Sequence, residues 1–428
     1  MNAGLSRRHL LAGVGAAASA TVLGRTPDAP WQPRTRAGEV DWVAVRRQFR
    51  LDPAAVNLAT FFLASQPHPV RDAVEFLSRQ LDENPLSVDN LSLPDGPTGW
   101  DRVRASLAGY LGGSPDEYAL TQNTTIGLGH VYNGLPLRPG QEILVSDRDH
   151  VAQVGAAILA AQKRDATVRF ITLFDPPESA TEDEIASRLR QQITVRTRVV
   201  GVTWVQSSTG VRMPVRTLAG VVAEANRNRA DEDRCLLIVD GVHGLAAVDE
   251  DIPQLGADAV AAGTHKWLCG PRGTGLIWSP RADWGYLQAA VTPVFREDTV
   301  AKMTPGTFHA FEHMFALPAA VAFQQSMGRS RVAARIAQLS AQLRDGLAGI
   351  PGVQPRTPCD PALSAGITCF DVAGLDGTQV VAGLARRGVR ISTSPNPPQY
   401  ARIGTGITNF PWEIDRTLSA IHAVARQG

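Results

Sequence analysis

Cysteine is scarce in this chain: Cys235, Cys269, Cys359 and Cys369 are the four in 428 residues, and no two form a CxxC pair. That spacing excludes a zinc ribbon or a disulfide-stapled framework. Cys359 and Cys369 could pair in an oxidising compartment, but two packed free thiols are the expected state. Net charge is equally scarce, at +1, so there is no broad basic face for nucleic acid. No GxGxxG follows the first strand of the α/β region, which argues against a nicotinamide cofactor. The glycine turn Pro271-Arg272-Gly273-Thr274-Gly275 lacks the GK[ST] ending of a Walker loop. Internal repeats and low-complexity stretches are absent from the fold. What remains is ordinary for a globular enzyme: 44% hydrophobic and 19% charged residues, in a chain long enough for two domains.

The first residues read differently from the rest. Ser6-Arg7-Arg8-His9-Leu10-Leu11 is followed by a Gly/Ala-rich apolar stretch to Leu23, with Ala18-Ser19-Ala20 as one cleavage site. This resembles a twin-arginine export signal, which implies the twin-arginine translocation machinery as a partner and a periplasmic or extracytoplasmic location. The stretch is too short and too rich in small residues for a stable membrane span. A Pro/Arg-rich linker follows, to about residue 38.

An N-terminal segment over 39–60 leads into a large domain over 61–300. There, continuous apolar runs alternate with Ala/Leu-rich helical stretches. The expected strands are Ile143–Ser146, Val168–Thr172, Val199–Trp204 and Leu236–Asp240; helices are expected over 181–192 and 214–226. Continuous rather than alternating apolar runs indicate strands covered on both faces. The fold class is therefore α/β, a mostly parallel sheet flanked by helices, with its ligand site beyond the carboxyl ends of the strands. From 301 to 428 the pattern becomes a smaller α+β domain. It has a helical region through Leu317 to Ile350, β segments at 366–372 and 389–393, and helices at 377–387 and 413–426.

Two residues at expected strand ends carry the chemistry. Asp240 closes the apolar run Leu236-Leu237-Ile238-Val239, and Lys266 follows the small-residue run Ala261-Ala262-Gly263. Pyridoxal phosphate (PLP) needs both: a lysine for the Schiff base, and a carboxylate that keeps the pyridine nitrogen protonated. Thr121-Gln122-Asn123-Thr124-Thr125 precedes a helical stretch, where hydroxyls and free amides suit either a phosphate or an ordinary helix cap. His150 is a flat ring that could stack on a pyridine or simply pack. Gln206 sits in a turn closed by Gly210 and could reach the cofactor's phenolic oxygen, as could His243, three residues after Asp240. His265 points elsewhere than Lys266. Arg402 could hold a substrate carboxylate through two parallel hydrogen bonds, or be solvated.

In this order the motifs resemble fold-type I PLP enzymes of the class V aminotransferase family, in the isopenicillin N epimerase-like branch, over about residues 50–420. The resemblance implies roles residue by residue. Lys266 carries the cofactor, Asp240 pairs with the ring nitrogen and His150 stacks on the ring. Thr124, Thr125 and the Thr264-His265 turn hold phosphate. Gln206 and His243 lie near the phenolic oxygen, and Arg402 binds the substrate carboxylate. Gly306-Thr307 reaches the neighbouring subunit's phosphate, making an obligate homodimer. Some positions depart from the family. The loop Ser392–Gln399 lacks the catalytic cysteine of the desulfurases. Gly263 stands where relatives often have Ser or Asn. Phe61 and Phe62 either reshape the substrate pocket or belong to the core.

The electron sink is legible; the fate of the α-carbon is not. The length, the export signal and the core are together similar to the periplasmic PLP enzymes that tailor pyoverdine siderophores. This implies oxidative decarboxylation of an amino-acid unit to a carboxamide, on a small-molecule or peptide-like substrate. Transamination and epimerisation are the alternatives. His309 and His313 are candidate proton carriers or packing residues.

Overall fold

The computed structural model describes residues 33, 39–88, 98–281, 284–292, 300–306 and 308–427. The first strand, β1 (Val56–Asn57), precedes the large sheet. That sheet is built from β2 (Tyr118–Thr121), β3 (Glu142–Ser146), β4 (Thr167–Ile171), β5 (Thr197–Thr203), β6 (Leu236–Asp240), β7 (Ala259–Gly263) and β8 (Gly275–Trp278). Their spatial order is β2-β8-β7-β6-β5-β3-β4. Only β8 runs against its neighbours, pairing antiparallel with both β2 and β7.

The expected strands lie where the apolar runs are, within two residues at each end. β3, β5 and β6 are buried along their whole length because helices cover both faces. β4 is the exception: it sits at the sheet's edge and is partly exposed. One face packs on the helices Thr124–Gly134 and Val151–Gln162. Leu128, Val131 and Tyr132 of the first, and Ala156, Ala157, Ala160 and Ala161 of the second, join Ile143, Val145, Val199 and Ile238 in one core.

The second core belongs to the C-terminal sheet of β9 (Val353–Pro355), β10 (Ile367–Val372), β12 (Ser392–Thr393) and β13 (Ala401–Gly404), in the order β12-β13-β10-β9. Between β10 and β12 lies β11 (Val389–Arg390), which pairs in parallel with β1. Val56 and Leu58 thereby enter the C-terminal core beside Phe370, Val389 and Ile403. The helical region expected through Leu317–Ile350 is two helices, Leu317–Met327 and Arg329–Ala348. Gly328 separates them at φ +86°, a left-handed conformation that ends an α-helix. Among the described residues, no helix is long and apolar enough to cross a membrane.

The ends of β3, β5, β6 and β7 come together. Thr203 pairs in register with Asp240, and Asp240 with Ala261. Asp149, just beyond β3, ties this rim: its carboxylate accepts from Thr203 N (3.1 Å), Thr203 Oγ1 (2.8 Å) and Ser146 N (2.9 Å).

Across from the rim, Gly404 of β13 closes on Phe61. A Cβ at Gly404 would stand 2.3 Å from Phe61 Cδ1. Phe61 is fully enclosed, so Gly404→Ala is expected to cost about 1–3 kcal/mol in chemical denaturation. An unchanged midpoint would contradict this packing.

Candidate active site

Asp240 is buried at the end of β6, and Oδ1 accepts from Val242 N at 3.1 Å. Burial pushes its carboxyl up to about 6, against the pull of Lys266. Lys266 stands on the turn after β7, and its backbone surroundings are fixed. Ala64 N donates to His265 O (2.9 Å), Cys269 N to Lys266 O (2.9 Å) and Gly270 N to Thr264 O (2.9 Å). Trp267 Nε1 donates to Thr405 O (3.0 Å), while Trp267 O accepts from Gln324 Nε2 (2.8 Å). Burial brings the lysine down to about 8; Asp240 opposes this shift and Arg402 adds to it.

His243 Nε2 lies 3.3 Å from Lys266 Nζ, and its ring meets Trp267 edge-on at 5.5 Å between centroids. Burial, then Lys266 and Arg402, hold the imidazole far below its usual range, so it is neutral. The turn after Asp240 thus brings His243 to the lysine. His150 begins the helix Val151–Gln162, and its Nδ1 accepts from Ala152 N at 3.1 Å. This bond fixes the ring's orientation. Gln206 is buried with Nε2 3.3 Å from Ser146 Oγ, which anchors it to the end of β3.

The helix Thr124–Gly134 is capped by Asn123, whose Oδ1 accepts from Ile126 N at 2.9 Å. The threonines are therefore free of capping. Thr125 is exposed in the first turn, and Thr124 Oγ1 accepts from Gly263 N at 2.8 Å, leaving its own proton to donate. A Cβ built on Gly263 would lie 2.9 Å from His265 Cε1 and 3.2 Å from Thr124 Oγ1. The imidazole of His265 thus takes the space that a Ser or Asn side chain would use. The Thr264 hydroxyl is engaged inside its turn, donating to Thr274 O at 3.1 Å. It braces the lysine turn rather than offering a phosphate donor. Thr307 lies outside the described residues.

Arg402, on β13, is buried. Its Nη1 donates to Ser207 O (3.0 Å) and Ser207 Oγ (2.5 Å), and Nη2 donates to Ser392 Oγ (3.1 Å). The guanidinium carbon stands over the Phe61 ring, 4.0 Å from its centroid. Phe61 therefore supports Arg402, with 1% of its surface exposed. Arg402 Nε is buried with no partner among the described residues, and Nη2 keeps one hydrogen beyond its bond to Ser392. Ser207 and Ser392 gave no signal of their own in the sequence beyond polarity at a strand end. His309 packs edge-on against Trp100 and leans on Gln122, while His313 donates to Arg272 O at 2.8 Å. The cysteines are free; Cys359 is exposed and the others are buried.

A buried acid, a desolvated lysine, an oriented imidazole and a helix start with free hydroxyls fit PLP's ring nitrogen, aldehyde, ring face and phosphate respectively. The comparisons agree. The family profile "Aminotransferase class-V" matches residues 64–397. Isopenicillin N epimerase of Amycolatopsis lactamdurans is 29% identical over 407 residues, 90% of this chain and 99% of that protein. The Streptomyces clavuligerus enzyme of the same name is 27% identical over 407 residues, 90% of this chain and 98% of its own length. Among solved structures, a C-DES variant with glycine covalently linked to its PLP cofactor superposes at TM-score 0.77 and 22% identity, over 88% of this chain and 98% of that one. A cysteine desulfurase from Thermococcus onnurineus superposes at TM-score 0.76 and 17% identity, over 90% and 98%. At these identities the structural likeness establishes the fold.

The lysine's environment sets a pH dependence. Only neutral Lys266 captures the cofactor, so reconstitution of the apoenzyme should speed up as pH rises through about 8 and then level. A midpoint near the ordinary lysine value of 10.5 would contradict the burial described.

Proposed function

This chain belongs to the class V aminotransferase family and is a PLP-dependent enzyme. From that membership we propose that it acts at the α-carbon of an amino acid, or of an amino-acid residue within a secondary metabolite or siderophore. The observation that carries the reading is that Arg402 docks on Ser207 past the end of β5, while Lys266 stands 3.3 Å from His243 past the end of β6, where Asp240 lies. PLP bound there supplies an electron sink for a bond broken at the α-carbon. Asp240 would hold the protonated ring nitrogen, and His150 would cover the ring. Thr124, Thr125 and His265 would hold phosphate, with Gln206 and His243 toward the phenolic oxygen. Arg402 would receive the α-carboxylate, steadied by Ser207, Ser392 and Phe61. Lys266, brought down to about 8, removes or returns the α-proton near neutral pH.

A carboxylate retained by Arg402 favours breaking the Cα–H bond, which leads to epimerisation or amino transfer. Epimerisation draws support from relatives that share this chain along nearly their whole length. A second reading, oxidative decarboxylation to a carboxamide, draws support from the twin-arginine-type residues 6–23 joined to this core. In it, an amino acid and dioxygen give the carboxamide, carbon dioxide and water. Persulfide chemistry does not fit a loop over 392–399 without cysteine. The same N-terminal residues support export in folded form, which cell fractionation tests: mature protein found only in the cytoplasm would refute it. A homodimer is supported by exposed Phe62 and Phe308, and a monomeric mass in solution would refute it.

The deciding experiment incubates the mature holoenzyme with amino acids and glutamyl peptides in deuterated water. It follows the α-carbon configuration, solvent deuterium at Cα, the cofactor spectrum and dissolved oxygen. Deuterium entry without oxygen uptake is expected, with inversion for an epimerase, or a keto-acid-reversible spectral change for amino transfer. Oxygen uptake with loss of carbon dioxide and a carboxamide product would replace this with the oxidative reading. Absence of all of these across the panel would overturn the proposal.

A further inference from the structure

The loop between β12 and β13, Ser394 to Tyr400, is closed at its base and tied at its tip. At the base, Ser394 N donates to Tyr400 O (2.8 Å), and Tyr400 N donates to Ser394 Oγ (3.0 Å). At the tip, Asn396 Nδ2 donates 2.8 Å to the carbonyl of Asp149. Asp149 precedes His150, and its own carboxylate is fixed to the ends of β3 and β5. Arg356 makes a second tie. It stacks on Tyr400 at 5.8 Å and pairs with Glu178 (2.7 Å) of the large-sheet region and Asp371 (2.8 Å) of β10. The loop is also stiff, with Pro395, Pro397 and Pro398 in seven residues. Arg402 follows it by two residues on β13, while Ser392, which accepts from Arg402, precedes it.

We propose that Asn396 is a positioning residue: by latching this loop to the Asp149 carbonyl it fixes where the Arg402 guanidinium stands relative to Lys266. The proposal rests on the reading of Arg402 as a group facing the lysine. β13 belongs to the C-terminal sheet, whereas His150 and Lys266 belong to the rim of the large sheet. Like the Arg402–Ser207, Thr357–Thr209, Gln354–Glu178 and Arg212–Leu363 bonds and the Arg356–Glu178 pair, the Asn396 bond crosses that seam, and it does so beside the imidazole. It ties a stiff loop to an immobile carbonyl, so releasing it lets the β12 end shift with Ser392, the partner of Arg402 Nη2, while Ser207 still holds Nη1.

The holoenzyme's own colour reports this, without a substrate. The groups facing Lys266 are Asp240 at the end of β6, His243 on the next turn, His150 at the helix start, adjacent His265, and Arg402 on β13. Of these, Arg402 is the cation whose Ser392 contact the latch governs, and a cation near the lysine nitrogen disfavours its protonation, in the free amine and when joined to the cofactor alike. In Asn396→Ala holoenzyme, the pH midpoint of the visible absorbance should rise by about half a pH unit. Hydrogen exchange at the Tyr400 amide should quicken about tenfold, with exchange in β10 unchanged. Asn396→Gln, which keeps an amide donor, should recover most of both effects. Arg402→Ala should raise the midpoint at least as far. If Arg402→Ala shifts the midpoint and Asn396→Ala does not, the latch is refuted while the placement of Arg402 stands. If Arg402→Ala itself leaves the midpoint unchanged, Arg402 does not face the lysine and both ideas fall.

Discussion

The site depends on burying a carboxylate and an amine at one dry rim where four parallel strands end. Desolvation acts on them in opposite directions: it raises Asp240 and lowers Lys266, each toward its neutral form. Each then titrates near neutral pH, and each favours the other's charge. A sheet whose strands were solvated on one face could not do this. The continuous apolar runs of β3, β5 and β6 are what hold the rim away from water, and the buried Asp149 carboxylate keeps adjacent strand ends from separating.

Around that pair, apart from the Asp149 carboxylate tied to the strand ends, the protein places groups that are cationic or neutral. Arg402 is held by two serines above Phe61, so its charge is fixed in space before a substrate arrives. The imidazoles of His243 and His265 are kept neutral by burial and by the lysine. Positive charge is thereby reserved for Arg402 and Lys266, the groups that meet a carboxylate and a carbonyl. Chemistry on this scaffold is set by such edges rather than by the sheet, so related chains can share the fold and differ in reaction.

Much of this was legible in the sequence for a physical reason. A strand buried on both faces must be apolar until it ends, so its first polar residue marks the rim. Asp240 stands out by that rule, Lys266 comes three residues past the end of β7, and Gln206 follows another buried strand. Ser207, Ser392 and Asn396 stayed hidden because their partners lie 195, 10 and 247 positions away, and only packing brings them together. In the sequence Phe61 reads first as a residue that shapes the pocket and otherwise as core; in the structure it is buried under Arg402. The resemblance implies a phosphate role for Thr264, which stands two residues before the lysine, while the structure turns its hydroxyl to the glycine turn. The break at Gly328 was missed because apolar periodicity continues across it, and only the left-handed backbone reveals the boundary.

The central claim is that Asp240 is a buried anion matched to a protonated ring. The ¹⁵N chemical shift of isotope-labelled PLP in the wild-type holoenzyme measures this directly. A protonated pyridine nitrogen at neutral pH, lost on Asp240→Ala, is the result the structure predicts. An unprotonated nitrogen in the wild type would contradict it.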